Sequence, residues 1–134
     1  MIRPGLYNLA VDVRVPYEQA RERVVSALKE QGFGILCEID VAATLKQKLG
    51  VDFRKYVILG ACNPPLAHRA LMAETEIGVL LPCNVAVYER DAASSTVVAI
   101  DPEIQLGKVG RSDLAEVARE VRTRLVKMLQ AASA

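Results

Sequence analysis

The run Tyr7-Asn8-Leu9-Ala10-Val11-Asp12-Val13-Arg14-Val15-Pro16-Tyr17 decides how the rest of the chain is read. Tyr7, Leu9, Val11, Val13 and Val15 alternate with Asn8, Ala10, Asp12 and Arg14, a period of two that lines one face of a half-buried strand. Pro16 ends that strand and suits the opening of a helix, where its fixed φ is already helical and its missing N–H would have no partner. The period then changes: Tyr17, Ala20, Val24, Ala27 and Leu28 recur at helical spacing as far as Gly32. A strand with one apolar face that feeds an amphipathic helix calls for a layered fold in which the helix lies on the sheet.

Working outward, Phe33, Ile35, Cys37 and Ile39 alternate again and predict a second strand that puts Cys37 in the core with its three apolar neighbours. Asp40 stands where it can cap a short helix that runs through Leu49 and stops at Gly50. Residues 54–62 read as a third strand. Asn63 then caps a second short helix, with Pro64 at its first position and Leu66, Ala70 and Leu71 on its apolar side. Ile77, Val79, Leu81, Cys83, Val85 and Val87 predict one long strand, kinked at Pro82 because proline cannot donate to a ladder. A turn at 91–95 and the β-branched run 96–100 make this strand half of an antiparallel hairpin. Residues 101–110 show no clear period and read as a mobile loop, with Asp101 as a turn residue. Ser112 caps the last helix, 113–131, whose stripe of Leu114, Val117, Ala118, Val121, Leu125 and Met128 opposes Arg119, Arg122, Arg124 and Lys127.

This order predicts an α+β fold: a mixed or mostly antiparallel sheet, two long helices packed on it and two short helical insertions. The strand–helix alternation up to Met72 also permits a parallel α/β arrangement, ranked second because the inserted helices are short for covering a sheet face. No repeat or linker divides the chain, so residues 1–134 are expected to form a single domain. With 51% hydrophobic and 25% charged residues, a chain this long can bury about 68% of its unfolded surface without help from disulfides or metal.

Several function classes lose support. Seventeen Lys and Arg against sixteen Asp and Glu leave a net charge of +1, which provides no general attraction to nucleic acid or anionic lipid. The arginines of the last helix are interleaved with Asp113, Glu116 and Glu120, as on a solvated face. There is no tryptophan and there are only two phenylalanines, so no base-stacking platform stands out. The most apolar stretch, 77–87, is interrupted by Gly78, Pro82 and Asn84 and is far shorter than the about 18 residues of a membrane span. Residues 1–15 carry Arg3, Asp12 and Arg14 and lack the apolar core of an export signal. Three cysteines with no CxxC spacing fit reduced thiols and a cytoplasmic location.

Candidate chemistry centres on two similar boxes, Ala61-Cys62-Asn63-Pro64-Pro65 and Leu81-Pro82-Cys83-Asn84, each pairing a thiol with an amide at a proline-marked break. If their strands are neighbours, Cys62 and Cys83 share a cleft that Asn63, Asn84 and the phenol of Tyr56 can also line. His68, the only histidine, lies about one and a half turns into the following helix, so Cys62, His68 and Cys83 are candidate ligands for zinc or copper with one open position. Packed thiols and a surface histidine are the plainer reading of the same residues. A second chemistry needs no metal: Cys62 as a redox nucleophile near a helix start and Cys83 as its resolving thiol. His68 has no carboxylate at a spacing that suggests a hydrolytic triad. Gly107-Lys108 and Gly110-Arg111 hint at an anion site but match no phosphate-loop pattern. A mean hydropathy of +0.20 raises the expectation of a homodimer interface.

The CNP box (Cys62, Asn63, Pro64) and the LPCN box (Leu81 to Asn84) come with Gly32-Phe33, Glu38-Ile39-Asp40-Val41, Leu49-Gly50, and Tyr56 ahead of Ile58-Leu59-Gly60. In this order they make the chain resemble the prokaryotic domain-of-unknown-function family numbered 302, over nearly all of residues 11–101. The resemblance implies a fold similar to the TATA-binding-protein-like class, a strand, a helix, four strands and a helix. It implies no activity and assigns no role to Cys62, Asn63, Pro64, Pro82, Cys83 or Asn84. The function expected is therefore that of a small-ligand or soft-metal binding module, with thiol redox catalysis or a purely structural or interaction role as alternatives.

Overall fold

Strand register turns the alternating sequence pattern into a core. The computed structural model describes residues 1–134. Its six strands are β1 (Arg3–Pro4), β2 (Asn8–Val13), β3 (Gly34–Asp40), β4 (Tyr56–Cys62), β5 (Cys83–Asp91) and β6 (Ser94–Ile100). They form one sheet in the order β1-β2-β6-β5-β4-β3, and every neighbouring pair is antiparallel. Leu9, Ala99, Val85 and Leu59 fall in one row across the sheet, and Val11, Val97, Val87 and Val57 in another. All eight are buried. Burying two such rows supplies most of the sheet's hydrophobic stabilisation, at about 1.5–3 kcal/mol for each large aliphatic side chain.

Two long helices cover this face. Helix α1 (Tyr17–Glu30) buries Ala20, Val24, Ala27 and Leu28, and α5 (Ser112–Ser133) buries its full predicted stripe together with Leu129 and Ala132. The two-residue β1 aside, the order is strand, helix, four strands, helix, which excludes the parallel alternative. Helix α2 (Val41–Leu49) and helix α3 (Pro64–Ala73) are the two expected insertions, each opened by a side-chain cap. Asp40 accepts the Ala43 N–H at 2.9 Å, and Gly50 closes α2 in the left-handed conformation.

Four expectations need correction. First, Cys37 is exposed, because a β-bulge falls between Ile35, opposite Ala61, and Cys37, opposite Gly60. The extra residue, Leu36, shifts the alternation by one, so Cys37 and Ile39 leave the helix-covered face. Second, the long strand begins only at Cys83. Thr75–Leu80 forms a 3₁₀ helix in which Ile77 is 2% exposed and Val79 is 87% exposed, so the apparent alternation there was never a shared face. A cis Leu81-Pro82 peptide follows it. Third, the predicted loop contains α4 (Pro102–Gly107), where Asp101 caps the helix by accepting the Glu103 N–H at 3.0 Å. Asp101 is itself buried and takes the Nε of Arg122 at 3.2 Å, which turns one arginine of the supposedly solvated face into a strut between α4 and α5. Fourth, Ser112 is the first residue of α5 and makes no side-chain cap; the Asp113 carboxylate accepts the Leu114 N–H instead.

The other face of the sheet carries Ile58, Ala86 and Val98, half-buried by their neighbours, and the partly exposed Ile39. Near one end of this face a stack closes on itself. The Arg54 guanidinium lies 5.7 Å from the Tyr88 ring, Tyr88 stacks on Tyr56 at 5.5 Å, and Phe53 tilts against Tyr56 at 6.1 Å.

The Asp101 junction is testable by urea unfolding. Asp101→Ala removes both the cap and the partner of Arg122 and should cost about 1–3 kcal/mol. Asp101→Asn keeps a cap acceptor but loses the ion pair, and should fall between the two.

Candidate functional site

The site forms where β4 gives way to α3. Asn63 is extended (φ −99°, ψ 103°), and its side-chain oxygen accepts the Leu66 N–H at 3.3 Å. Pro64 follows at the first helical position. The Asn63 amide nitrogen lies over Gly32, the left-handed residue (φ +83°) that follows α1. A Cβ on Gly32 would come within 3.0 Å of that nitrogen and 3.1 Å of Arg124 Nη1. Arg124 Nη1 also donates to the Gln31 carbonyl at 2.9 Å. The end of α1, the start of α3 and the middle of α5 therefore meet at one residue whose left-handed φ and close neighbours favour glycine.

Beside this junction lies a cavity of about 290 Å³. Ala61 and Cys83 border it from the sheet, Leu66 and Ala70 from α3, Leu106 from α4 and Val117 from α5. Of 17 lining residues 13 are hydrophobic and none is charged. Both boxes reach it. Cys83 pairs with Ala61 across the β4–β5 ladder, and Cys62 is the next residue of β4. Burial pushes the Cys83 thiol up to about 11, the nearby Cys62 adding to the effect, and burial raises Cys62 as well. Both shifts oppose what a nucleophilic thiol needs, since reactive cysteines are held as thiolates near cations or helix starts.

Of the six candidate residues, Cys62, Asn63 and Cys83 come together at the cavity. His68 does not. It is exposed on α3 and absent from the lining, and no three or more His, Cys, Asp or Glu side chains gather as a metal site. Tyr56 lies six residues before Cys62, about 20 Å along the strand, and is held in the aromatic stack. Asn84 is exposed opposite Gly60 on the other face of the sheet. Asn63 is committed to capping α3. The suggested anion site is filled from within, because the Arg111 guanidinium binds the Asp113 carboxylate at 3.1 and 3.2 Å.

Cys37 has a packing role. A Cβ on Gly60 would stand 2.6 Å from Cys37 Sγ and 3.0 Å from Pro82 Cγ, so the thiol and the proline ring occupy the space that glycine leaves. The residues missed by sequence reasoning are the walls: Leu106, Val117 and Val121 carry ordinary core spacing, which does not distinguish a filled interior from a hollow one.

A six-stranded antiparallel sheet with two long helices on one face and an apolar cavity at their margin defines an α+β protein of the strand-helix-four-strand-helix type. The sequence profile of the family described as domain of unknown function DUF302 matches residues 9–132, and the chain belongs to that family. Among solved structures it is similar to the crystal structure of an uncharacterized conserved DUF302 protein from Bacillus stearothermophilus, at 31% identity and a TM-score of 0.87, over 95% of this chain and 98% of that one. No curated protein matches it significantly. No helix is long and apolar enough to cross a membrane.

The raised thiol value sets a pH dependence. The folded protein holds the Cys83 proton more tightly than the unfolded chain, whose thiol has the ordinary value of 9.0. The resulting stability is fully present below about 9 and is lost as the pH rises toward about 11. In a Cys37→Ser, Cys62→Ser background, which keeps the burial but loses the Cys62 contribution, alkylation of Cys83 by iodoacetamide, read by mass spectrometry, should keep accelerating above pH 9; a plateau at or below about 9 would contradict the burial.

Proposed function

We propose that residues 1–134 act as one small-ligand-binding module whose ligand occupies the cavity beside Cys62 and Cys83. The observation that carries this reading is the cavity itself, about 290 Å³ of largely apolar space bordered by both thiols and by no charged side chain. A volume of this order stands at the lower edge of the range of small-molecule sites, and its mostly apolar lining is of their kind. The raised Cys62 and Cys83 thiols weigh against the redox alternative. Without His68, two thiols fall short of the three protein ligands of an open zinc site, so a small molecule is favoured over zinc or copper. Three free thiols suit a reducing compartment such as the cytoplasm.

Native mass spectrometry with elemental analysis, on protein purified without chelator, tests this. Wild type should retain a stoichiometric small molecule that Ala67→Phe, which fills the cavity from α3, releases. The same comparison with Cys62→Ser and Cys83→Ser shows whether the thiols hold it. Wild type with no mass beyond its own chain, or with an added mass that Ala67→Phe retains, would overturn this reading, and an added mass kept by both cysteine variants would leave the thiols with a packing role alone.

Homodimer formation is a second reading, supported by the sheet face bearing Ile39, Ile58, Ala86 and Val98, over which neither long helix packs. Light scattering at micromolar concentration should give twice the chain mass, and Ile39→Lys should return it to that of the monomer.

A further inference from the structure

Resting on the cavity reading above, we propose that the occupant is an uncharged apolar molecule of about ten non-hydrogen atoms, such as an alkyl chain, admitted through an apolar rim. Size comes from comparison: a dry apolar cavity of about 150 Å³ accepts benzene, and this one has roughly twice that volume. Charge comes from the lining. No lining side chain is charged, the Asn63 oxygen is already taken by Leu66 while its nitrogen rests on Gly32, which does not line the cavity, and the thiols are weak donors. A charged group drawn inside would lose its hydration without replacement.

The rim is a separate observation. Leu36 and Leu71 line the cavity yet are 66% and 40% exposed. Met72, next to Leu71, is 75% exposed, and Val79, next to the lining Gly78, is almost wholly exposed. These four belong to three elements: the β3 bulge, α3 and the 3₁₀ helix. Single exposed apolar residues need no explanation, but Leu36 and Leu71 come from two different elements to one apolar opening, with Met72 and Val79 adjoining the lining in the chain, and mark where an apolar molecule is received.

The probes are octanol and octanoate, which share one alkyl chain and differ in charge, titrated at mildly alkaline pH against the full chain by calorimetry and thermal unfolding. Octanol should bind saturably and raise the unfolding temperature, with octanoate at least about tenfold weaker. Ala67→Phe should abolish octanol binding; Ala67→Leu, a smaller filling, should weaken it and serves as control if the phenylalanine variant unfolds. Octanoate binding as tightly as octanol would overturn the uncharged assignment. Failure of both probes would overturn the ligand class, and the binding reading would then survive only if native mass spectrometry still shows a molecule retained by wild type and lost in Ala67→Phe. Binding of octanol unchanged by either filling variant would place it outside the cavity and overturn the proposal.

Discussion

The Asn63 carboxamide accepts the Leu66 N–H to start α3 where β4 ends, and its nitrogen rests on the bare backbone of Gly32 beside the Arg124 guanidinium. A side chain at Gly32 would have to be strained into a left-handed φ, and the Asn63 amide and the Arg124 guanidinium would have to give by a few tenths of an ångström to admit it. The wall that α3 gives to the cavity depends on this meeting. So does the placement of Cys62, one residue before the cap, where it borders the hollow instead of continuing the strand's alternation into solvent.

A second constraint acts on the opposite side of the sheet. Gly60 makes room for the thiol of Cys37 and the ring of Pro82, so the bulge in β3 and the start of β5 are fitted to the same missing side chain. The two glycines thus work as a pair. Gly32 stands where the helical wall of the cavity meets the end of α1, and Gly60 stands where the β3 bulge and the Pro82 segment approach each other across β4. The third thiol belongs to this second arrangement, which is why Cys37 stands apart from the two that border the cavity.

Where one periodicity runs unbroken, the fold was legible. Leu9, Val11 and Val13, the α1 stripe and the α5 stripe each repeat over several turns or residues and lie where their spacing puts them. The failures came where a short segment admits two periods. Ile77, Val79 and Leu81 alternate like a strand, yet the Glu74 carboxylate accepts the Glu76 N–H and starts a 3₁₀ turn. One inserted residue, Leu36, inverted every later assignment in β3. Helix α4 does carry a sequence signal: Asp101-Pro102 has the same cap-and-proline signature that opens α3 at Asn63-Pro64. At the site, the two boxes put Cys62 and Cys83 together only on the condition that their strands are neighbours, as β4 and β5 are. The exclusion of His68 was not legible, because it depends on which side of α3 turns inward, and neither was the hollow, because an empty volume leaves no mark on hydrophobic spacing.

The aromatic stack has a consequence for how this molecule can be watched. With no tryptophan and four tyrosines, its intrinsic emission comes from phenols alone. Two of these are locked against each other and against Arg54 on the face of the sheet away from the long helices, and none of the four borders the cavity, whose one aromatic side chain is Phe33. The cavity is optically silent: a molecule could enter or leave it while the tyrosine spectrum reports only Tyr7 before β2, Tyr17 at the start of α1 and the stacked pair at the far end of β4 and β5.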